Sequence, residues 1–112
     1  MASYYWHKEA IDVDRIQLKA ISLDQIDSLK GRKIGFVKID VEGADGDVLQ
    51  GMREILDSSR PLIFIECSDI GRQATWALLS ERGYRCFFSR SPAQAVTSFD
   101  HYRHNDFLWL PQ

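Results

Sequence analysis

The feature that most constrains the fold of this chain is a run of β-prone apolar residues at 35–41, which stops at a turn rich in glycine and acid at 42–46. Lys38 and Asp40 are the charged residues within the run. A nearly continuous apolar strand is typical of a strand that is covered on both faces, as in a parallel sheet. The run therefore predicts a buried strand inside an α/β sheet.

A helical pattern follows the turn, because apolar residues recur at spacings that place them on one face of a helix. They are Val48, Leu49, Met52, Ile55 and Leu56. Asp45 or Asp47 is predicted to cap the first exposed amides of this helix, where a carboxylate also complements the helix dipole.

The remainder continues the alternation of strands and helices. Strands are predicted at 62–66 and 84–88, with a helix at 71–82 between them that ends at Gly83. A polar segment at 89–104 shows no period, and a last strand is predicted at 107–110. Its long connection predicts that this last strand is antiparallel to its neighbour. Strand–helix–strand order of this kind indicates right-handed crossovers in an open α/β sheet.

Two shorter elements are predicted before the central strand. Alternation at 16–21 predicts a strand. Ser22 and Gln25 then lie at capping-box spacing and predict a brief helix that ends at Gly31.

Composition limits the function. The chain has 112 residues, a formal net charge of -2 and a pI near 5.9, which argue against a nucleic-acid or anionic-membrane partner. No apolar stretch is long enough to span a bilayer. Cys67 and Cys86 form neither a Cys-x-x-Cys motif nor a metal-ligand spacing, so a reduced cytoplasmic location is expected.

Acidic residues mark the candidate site, because catalytic and binding groups of open α/β sheets gather at the carboxyl ends of the strands. Asp40 and Glu42 stand at one such end and Glu66 at the next. A spacing of two residues would put Asp40 and Glu42 on the same side of an extended strand. The structural alternative is that both bind turn amides or cap the next helix, and that Glu66 faces water.

Lys38 and the histidines can each be interpreted as structural or as functional residues. Lys38 is predicted to pair with Asp40 or with a carboxylate of a neighbouring strand, and substrate contact is the alternative. His101 and His104 lie three residues apart in a predicted loop without a third ligand, so no metal site is expected.

A longer sequence pattern contains several of these residues and is similar to that of a known family. Residues 37–44 read Val-Lys-Ile-Asp-Val-Glu-Gly-Ala and residues 48–51 read Val-Leu-Gln-Gly, and this string resembles the FkbM-type methyltransferase pattern. Flanking pieces agree in order: Ser22-Leu23-Asp24, Arg60-Pro61, Gly83-Tyr84 and Asn105. Asp45 departs from the glutamate that is usual in the family, and Gly46 follows it.

The resemblance implies a partial Rossmann-like class I methyltransferase sheet, mostly parallel with an antiparallel last strand. It implies S-adenosylmethionine as the methyl donor and a hydroxyl of a sugar, a polyketide or another secondary metabolite as the acceptor. Asp40 and Glu42 are the expected catalytic residues, and Glu66, Asn105 and Lys38 the expected substrate-binding residues.

The glycine-rich loop that binds the cofactor in this family has no counterpart here, and the cofactor-binding residues are unknown. We therefore expect residues 1–14 to be a lead-in segment and residues 15–112 to be the C-terminal half of a methyltransferase domain, with the N-terminal cofactor-binding half absent. An uncovered sheet edge predicts a homodimer, or docking of the missing half. The alternative function is a non-catalytic α/β module that mediates protein association; a receiver-like regulatory domain ranks last.

Overall fold

The computed structural model describes residues 14–66, 70–101 and 106–112. Its strands are β1 (Phe36–Ile39), β2 (Leu62–Glu66), β3 (Tyr84–Phe88), β4 (Ser91–Val96) and β5 (Asp106–Pro111). Its helices are α1 (Asp45–Gln50), α2 (Arg53–Ser59) and α3 (Arg72–Glu81), and short 3₁₀ turns lie at Leu23–Gln25, Asp27–Leu29 and Phe99–His101. None of the described helices is long and apolar enough to cross a membrane.

The five strands form one sheet in the order β1-β2-β5-β3-β4, so the chain is α/β as predicted. β1 and β2 are parallel, whereas β5 is antiparallel to both of its neighbours and β4 is antiparallel to β3. The antiparallel last strand is confirmed, but the prediction of a mostly parallel sheet is wrong. The reason is that β5 inserts between β2 and β3, which run in the same direction but do not touch.

The described helices bury one face of the sheet. Ile63 and Ile65 of β2 and Trp109 of β5 are fully buried in a core that includes Leu49, Leu56 and Leu79 of the helices. The Trp76 ring of α3 meets the Trp109 ring edge-on, with centroids 5.2 Å apart.

The opposite face carries six apolar residues that are not part of this core, and we call it the open face. They are Phe36, Leu62, Phe64, Phe87, Leu108 and Leu110. Phe36 is 58% exposed and the other five are half-buried. The prediction that the central strand is covered on both faces is therefore wrong for the described residues.

Three local predictions are also corrected. Residues 16–21 form no strand, and Ile16 and Leu18 are largely exposed, because alternation without a partner strand leaves backbone groups to water. The single helix predicted from the apolar face of Val48 to Leu56 is broken at Gly51. The Gly51 backbone lies against Ser22: a Cβ on Gly51 would approach the Ser22 Cβ to 2.9 Å. The segment taken as irregular contains β4, which pairs with β3 through its backbone and so needs no apolar alternation.

Asp24 connects the short turns that precede the sheet to the start of α2. Its carboxylate accepts hydrogen bonds from the backbone N–H groups of Glu54 and Ile55 at 3.0 and 3.2 Å. These donors lie in the first turn of α2, where N–H groups have no partner within the helix. Asp24 therefore caps α2 from a distance, while Gln25 accepts from the Ser22 N–H at 3.1 Å as the capping-box spacing predicts.

α3 approaches the turn after β1 through a glycine contact. Gly71 precedes α3 with φ 78°, and a Cβ there would lie 2.8 Å from the Gly43 carbonyl oxygen. A Cβ on Gly46 would lie 3.1 Å from the Ala74 Cβ. The glycines let α1 and α3 meet directly behind the carboxyl end of β1.

Candidate functional site

Three carboxylates form a row across the sheet, which we call the acid row. Asp40 directly follows β1, Glu66 is the last residue of β2, and Asp106 is the first residue of β5. Glu66 is the register partner of Asp106, and the pairing of Ile39 with Ile65 puts Asp40 beside Glu66. Register partners point to the same face of a sheet, so the tertiary structure brings the predicted Asp40 and Glu66 together and adds Asp106.

The acid row is electrostatically unfavourable, since like charges directly opposite each other destabilise a sheet. The pKa of Glu66 is raised, chiefly because its protonated carboxyl donates a hydrogen bond to Asp40 and because Asp40 carries a like charge. Desolvation and the charge of Asp106 raise the pKa further, and the ammonium of Lys38 lowers it. The Glu66 carboxyl therefore holds its proton more tightly than an isolated glutamate does.

Glu42 lies on a strained turn. Its φ is 52°, a left-handed conformation that a residue with a Cβ adopts at a cost, and Gly43 follows with φ 98°. β1 ends at Ile39, so the extended backbone on which the same-side placement of Asp40 and Glu42 depended is not present. Glu42 is exposed at this turn.

Asp45 is a site residue that sequence reasoning treated only as a helix cap. Ala44 is the N-cap of α1, and no side chain caps that helix. Asp45 is fully buried, and neither of its carboxylate oxygens has a hydrogen-bond partner in another described residue. Burial raises its pKa to about 6, the charges of Asp40 and Glu42 raise it as well, and its own backbone amide opposes the shift.

Lys38 and Asn105 complete the predicted set. Lys38 is exposed on β1 with Phe64 as its register partner, and it forms no direct ion pair among the described residues. It influences Glu66 through its charge instead, so the predicted structural ion pair is wrong in its direct form. Asn105, like His104 and Cys67, lies outside the described residues. Asp106, the neighbour of Asn105, was not predicted as a site residue, because only the pairing of β5 with β2 shows that it lies beside Glu66.

The described residues form a groove but no cluster of metal ligands. Within residues 14–66, 70–101 and 106–112, no three His, Cys, Asp or Glu side chains are grouped so that they could hold a metal ion. A groove of about 480 Å³ lies between the first 3₁₀ turns and α2, and it is lined by Ile26, Lys33 and Ile55 among others. Residues 31–33 precede β1, so this groove lies at the opposite end of β1 from the acid row.

Residues 2–86, most of the chain, match the family model described as the methyltransferase FkbM domain. The chain belongs to the FkbM methyltransferase family. Asp40, Glu42 and Glu66 lie inside the matched range and Asp106 lies beyond it. Comparisons with curated proteins and with solved structures find no match.

The turn after β1 is the only glycine-rich turn in the described part of the FkbM chain, and Gly71 packs against the Gly43 carbonyl of this turn.

Proposed function

We propose that this FkbM chain is the acceptor-side part of an S-adenosylmethionine-dependent methyltransferase. Its substrate would be a hydroxyl of a sugar, a polyketide or another secondary metabolite, as the family resemblance implies. The observation that carries the proposal is the acid row at the carboxyl ends of β1 and β2, where α/β sheets hold their substrates. The insertion of antiparallel β5 beside β2 supports the proposal of a Rossmann-like class I sheet.

The carboxylates have a defined task in this proposal. Asp40 or Glu42 accepts the proton as the O–H bond of the acceptor breaks and its oxygen is methylated, which is general-base catalysis. Glu66 and Lys38 bind and orient the acceptor, as does Asn105 on the strength of the family pattern. S-adenosylmethionine supplies the electrophilic methyl group in the complete enzyme.

In the complete enzyme the cofactor-binding half of the domain is proposed to dock against this part. Among the described residues, the open face lies outside the core and the outer edge of β1 pairs with no strand. Both support the proposal, because a doubly wound sheet is covered on both faces. The proposal retains the cytoplasmic location expected from the cysteine pattern.

Calorimetric titration of the purified chain with S-adenosylhomocysteine tests whether this chain holds a cofactor site by itself. We expect no binding, because the family's glycine-rich cofactor loop has no counterpart in this sequence. Micromolar binding would instead show that the cofactor site is complete, through assembly between chains. It would reject the proposal that the cofactor-binding half is absent.

The catalytic assignment is tested by methyl transfer to hydroxyl acceptors in the assembled enzyme. Asp40→Asn combined with Glu42→Gln should lower kcat by about 100-fold or more, the range that general-base catalysis supplies. Glu81→Gln removes one exposed acid at the far end of α3 and should leave the rate unchanged. Unchanged turnover of the double variant would reject the assignment.

A second candidate function is a non-catalytic module for protein association. The exposed Phe36 at the outer strand favours it, since an uncovered edge can pair with another strand. Light scattering at high concentration separates the candidates: a dimer supports association, and a monomer counts against it.

A further inference from the structure

The groove between the first 3₁₀ turns and α2 has an apolar floor. Its volume is about 480 Å³, and Leu23, Ile26 and Leu29 line it from the side of the turns. All three are half-buried and follow one another at a spacing of three residues, and we call them the apolar row. Because 3₁₀ turns advance about 2 Å per residue, the row is about 12 Å long, enough for a hydrocarbon chain of about eight carbons. Ile55 lines the groove from the side of α2.

One end of the groove is cationic. Arg32 and Lys33 line it where α2 ends, and α2 contributes Ser58 there. The Ser59 hydroxyl donates to the Arg32 carbonyl at 3.3 Å and accepts from the Ile34 N–H at 3.1 Å, which holds this segment against the end of α2. The side chains of Arg32 and Lys33 are exposed and make no hydrogen bond or ion pair with a described residue. This cationic end therefore offers two charged donors and a hydroxyl to an anion.

The other charged residues of the groove are already paired or lie at its opposite end. Lys30 forms an ion pair with Asp27 at 3.2 Å. Asp24 uses both of its oxygens to accept from N–H groups at the start of α2. Glu54 also lies at the start of α2, about 6 Å along the helix axis from Ser58. The groove therefore has a direction, in which an anion is favoured at the cationic end.

We propose that this groove binds a soluble carboxylate with an unbranched hydrocarbon chain: the carboxylate lies between Arg32 and Lys33, and the chain lies along the apolar row. A guanidinium matches a carboxylate with two parallel hydrogen bonds. Each methylene group that leaves water along the row adds affinity.

This site is separate from the one proposed for the methyl acceptor. α2, which forms one wall of the groove, packs on the covered face of the sheet through Ile55 and Leu56. The groove also lies at the opposite end of β1 from the acid row. Neither the open face nor the carboxyl ends of the strands contribute to it, so the ligand would be additional to the acceptor and the cofactor.

Two other occupants fit the groove less well. Twelve residues line it, fewer than the roughly 20–30 that each partner contributes to a standard protein interface, whereas its volume lies in the range of roughly 300–1,000 Å³ of small-molecule sites. Segments that bind anionic membranes carry clusters of about 4–8 cations, and only two of the cations that line this groove lack an ion pair among the described residues.

The test titrates the purified chain with ligands that share one tail and differ in head group: octanoate, octylammonium and 1-octanol, each kept below the concentration at which it aggregates. Backbone amide chemical shifts follow the binding. We expect octanoate to shift the amides of Gly31, Arg32, Ile55 and Ser58, and to bind at least about ten times more tightly than octylammonium or 1-octanol. Butanoate, which has four fewer methylene groups, should bind at least about ten times more weakly than octanoate.

Variants locate the two parts of the ligand. Arg32→Gln and Lys33→Gln should each weaken octanoate binding several-fold, whereas Arg90→Gln, which removes an exposed cation between β3 and β4, should not. Ile26→Ala should weaken the binding of octanoate but not that of butanoate, because Ile26 lines the groove and is not among the residues of the core or those packed against it. Circular dichroism checks that each variant is folded.

Four results would overturn the inference: no binding of octanoate at millimolar concentration, equal binding of octylammonium, equal weakening by Arg90→Gln, or shifts confined to other parts of the chain. Binding to phosphatidylserine vesicles without binding to octanoate would also overturn it, in favour of a membrane surface. The result does not depend on methyl transfer. Octanoate that binds as expected supports the site even if the assembled enzyme methylates no hydroxyl.

Discussion

At the scale of single residues, the buried Asp45 is the clearest liability. Its pKa in the folded chain is about 6, above the ordinary value of 3.8, so the folded state holds this proton more tightly than the unfolded state. Stability is therefore highest below the ordinary pKa and falls as the pH rises through about 6. Above that pH the ionised carboxylate costs on the order of 3 kcal/mol.

Asp45→Asn keeps the shape of the side chain and removes its charge. We expect the free energy of unfolding at pH 7.5 to rise by about 1–2 kcal/mol and the fall in stability between pH 4 and pH 6.5 to become smaller. Urea unfolding at several pH values measures both. Asp47→Asn, at an exposed position two residues on, is the control and should change little. A loss of stability in Asp45→Asn at pH 7.5 would contradict the prediction.

Glu66 predicts a pH dependence of activity. Its pKa is raised by Asp40, by desolvation and by Asp106, against the opposing charge of Lys38. Because Glu66 must lose its proton before it can bind an acceptor as a carboxylate, kcat/KM of the assembled enzyme should rise with pH above the ordinary range of a glutamate. In Glu66→Gln this limb of the pH profile should disappear. A limb that persists unchanged in the variant would assign it to another group.

At the scale of elements, the position of α2 depends on Asp24. Asp24→Ala removes two hydrogen bonds to the first turn of α2 and should lower the free energy of unfolding by about 1–2 kcal/mol. Asp27→Ala is the matched control, since its carboxylate makes an exposed ion pair with Lys30 and should cost less than about 0.5 kcal/mol. Denaturant unfolding compares the two, and equal losses would reject the capping role.

The contact between α3 and the turn after β1 is testable with two glycines. Gly71 and Gly31 both have positive φ, but only a Cβ at Gly71 would meet backbone, at 2.8 Å, while Gly31 faces open space. Gly31→Ala should cost about 1 kcal/mol from the left-handed backbone alone. Gly71→Ala should cost at least about 2 kcal/mol, because the helix must also move. Thermal unfolding that gave equal losses would show that the Gly43 contact is relaxed at little cost.

At the scale of the whole molecule, the outer edge of β1 is the surface through which we expect the chain to associate. If a dimer forms through it, Phe36→Lys should weaken that dimer at least ten-fold, because a charge at an edge opposes strand pairing. Ile70→Lys is the matched control, since Ile70 and Phe36 are both 58% exposed and Ile70 lies before α3. Sedimentation equilibrium measures both dissociation constants, and equal weakening would place the interface elsewhere.

The family string showed where the strand–turn–helix unit lies, and the bounds of β2 and β3 were predictable because their apolar runs end at proline, glycine or acid. The strand predicted at 16–21 failed, since alternation cannot reveal whether a partner strand exists. The break at Gly51 was not predictable from the helical face, which continues through Met52 and Ile55 in spite of it. β4 was not predicted, because an edge strand can form through backbone hydrogen bonds alone and need not show apolar alternation.

The sequence by itself determined the class of the fold, the family, and the placement of Asp40 and Glu66 at strand ends, because local pattern and turn residues are encoded along the chain. Only the tertiary structure decided that β5 lies beside β2, and this pairing is what joins Asp106 to Glu66 and completes the acid row. It also decided that Asp45 is buried and that, among the described residues, one face of the sheet lies outside the core. Register, burial and electrostatic coupling depend on residues far apart in sequence, which no local pattern records.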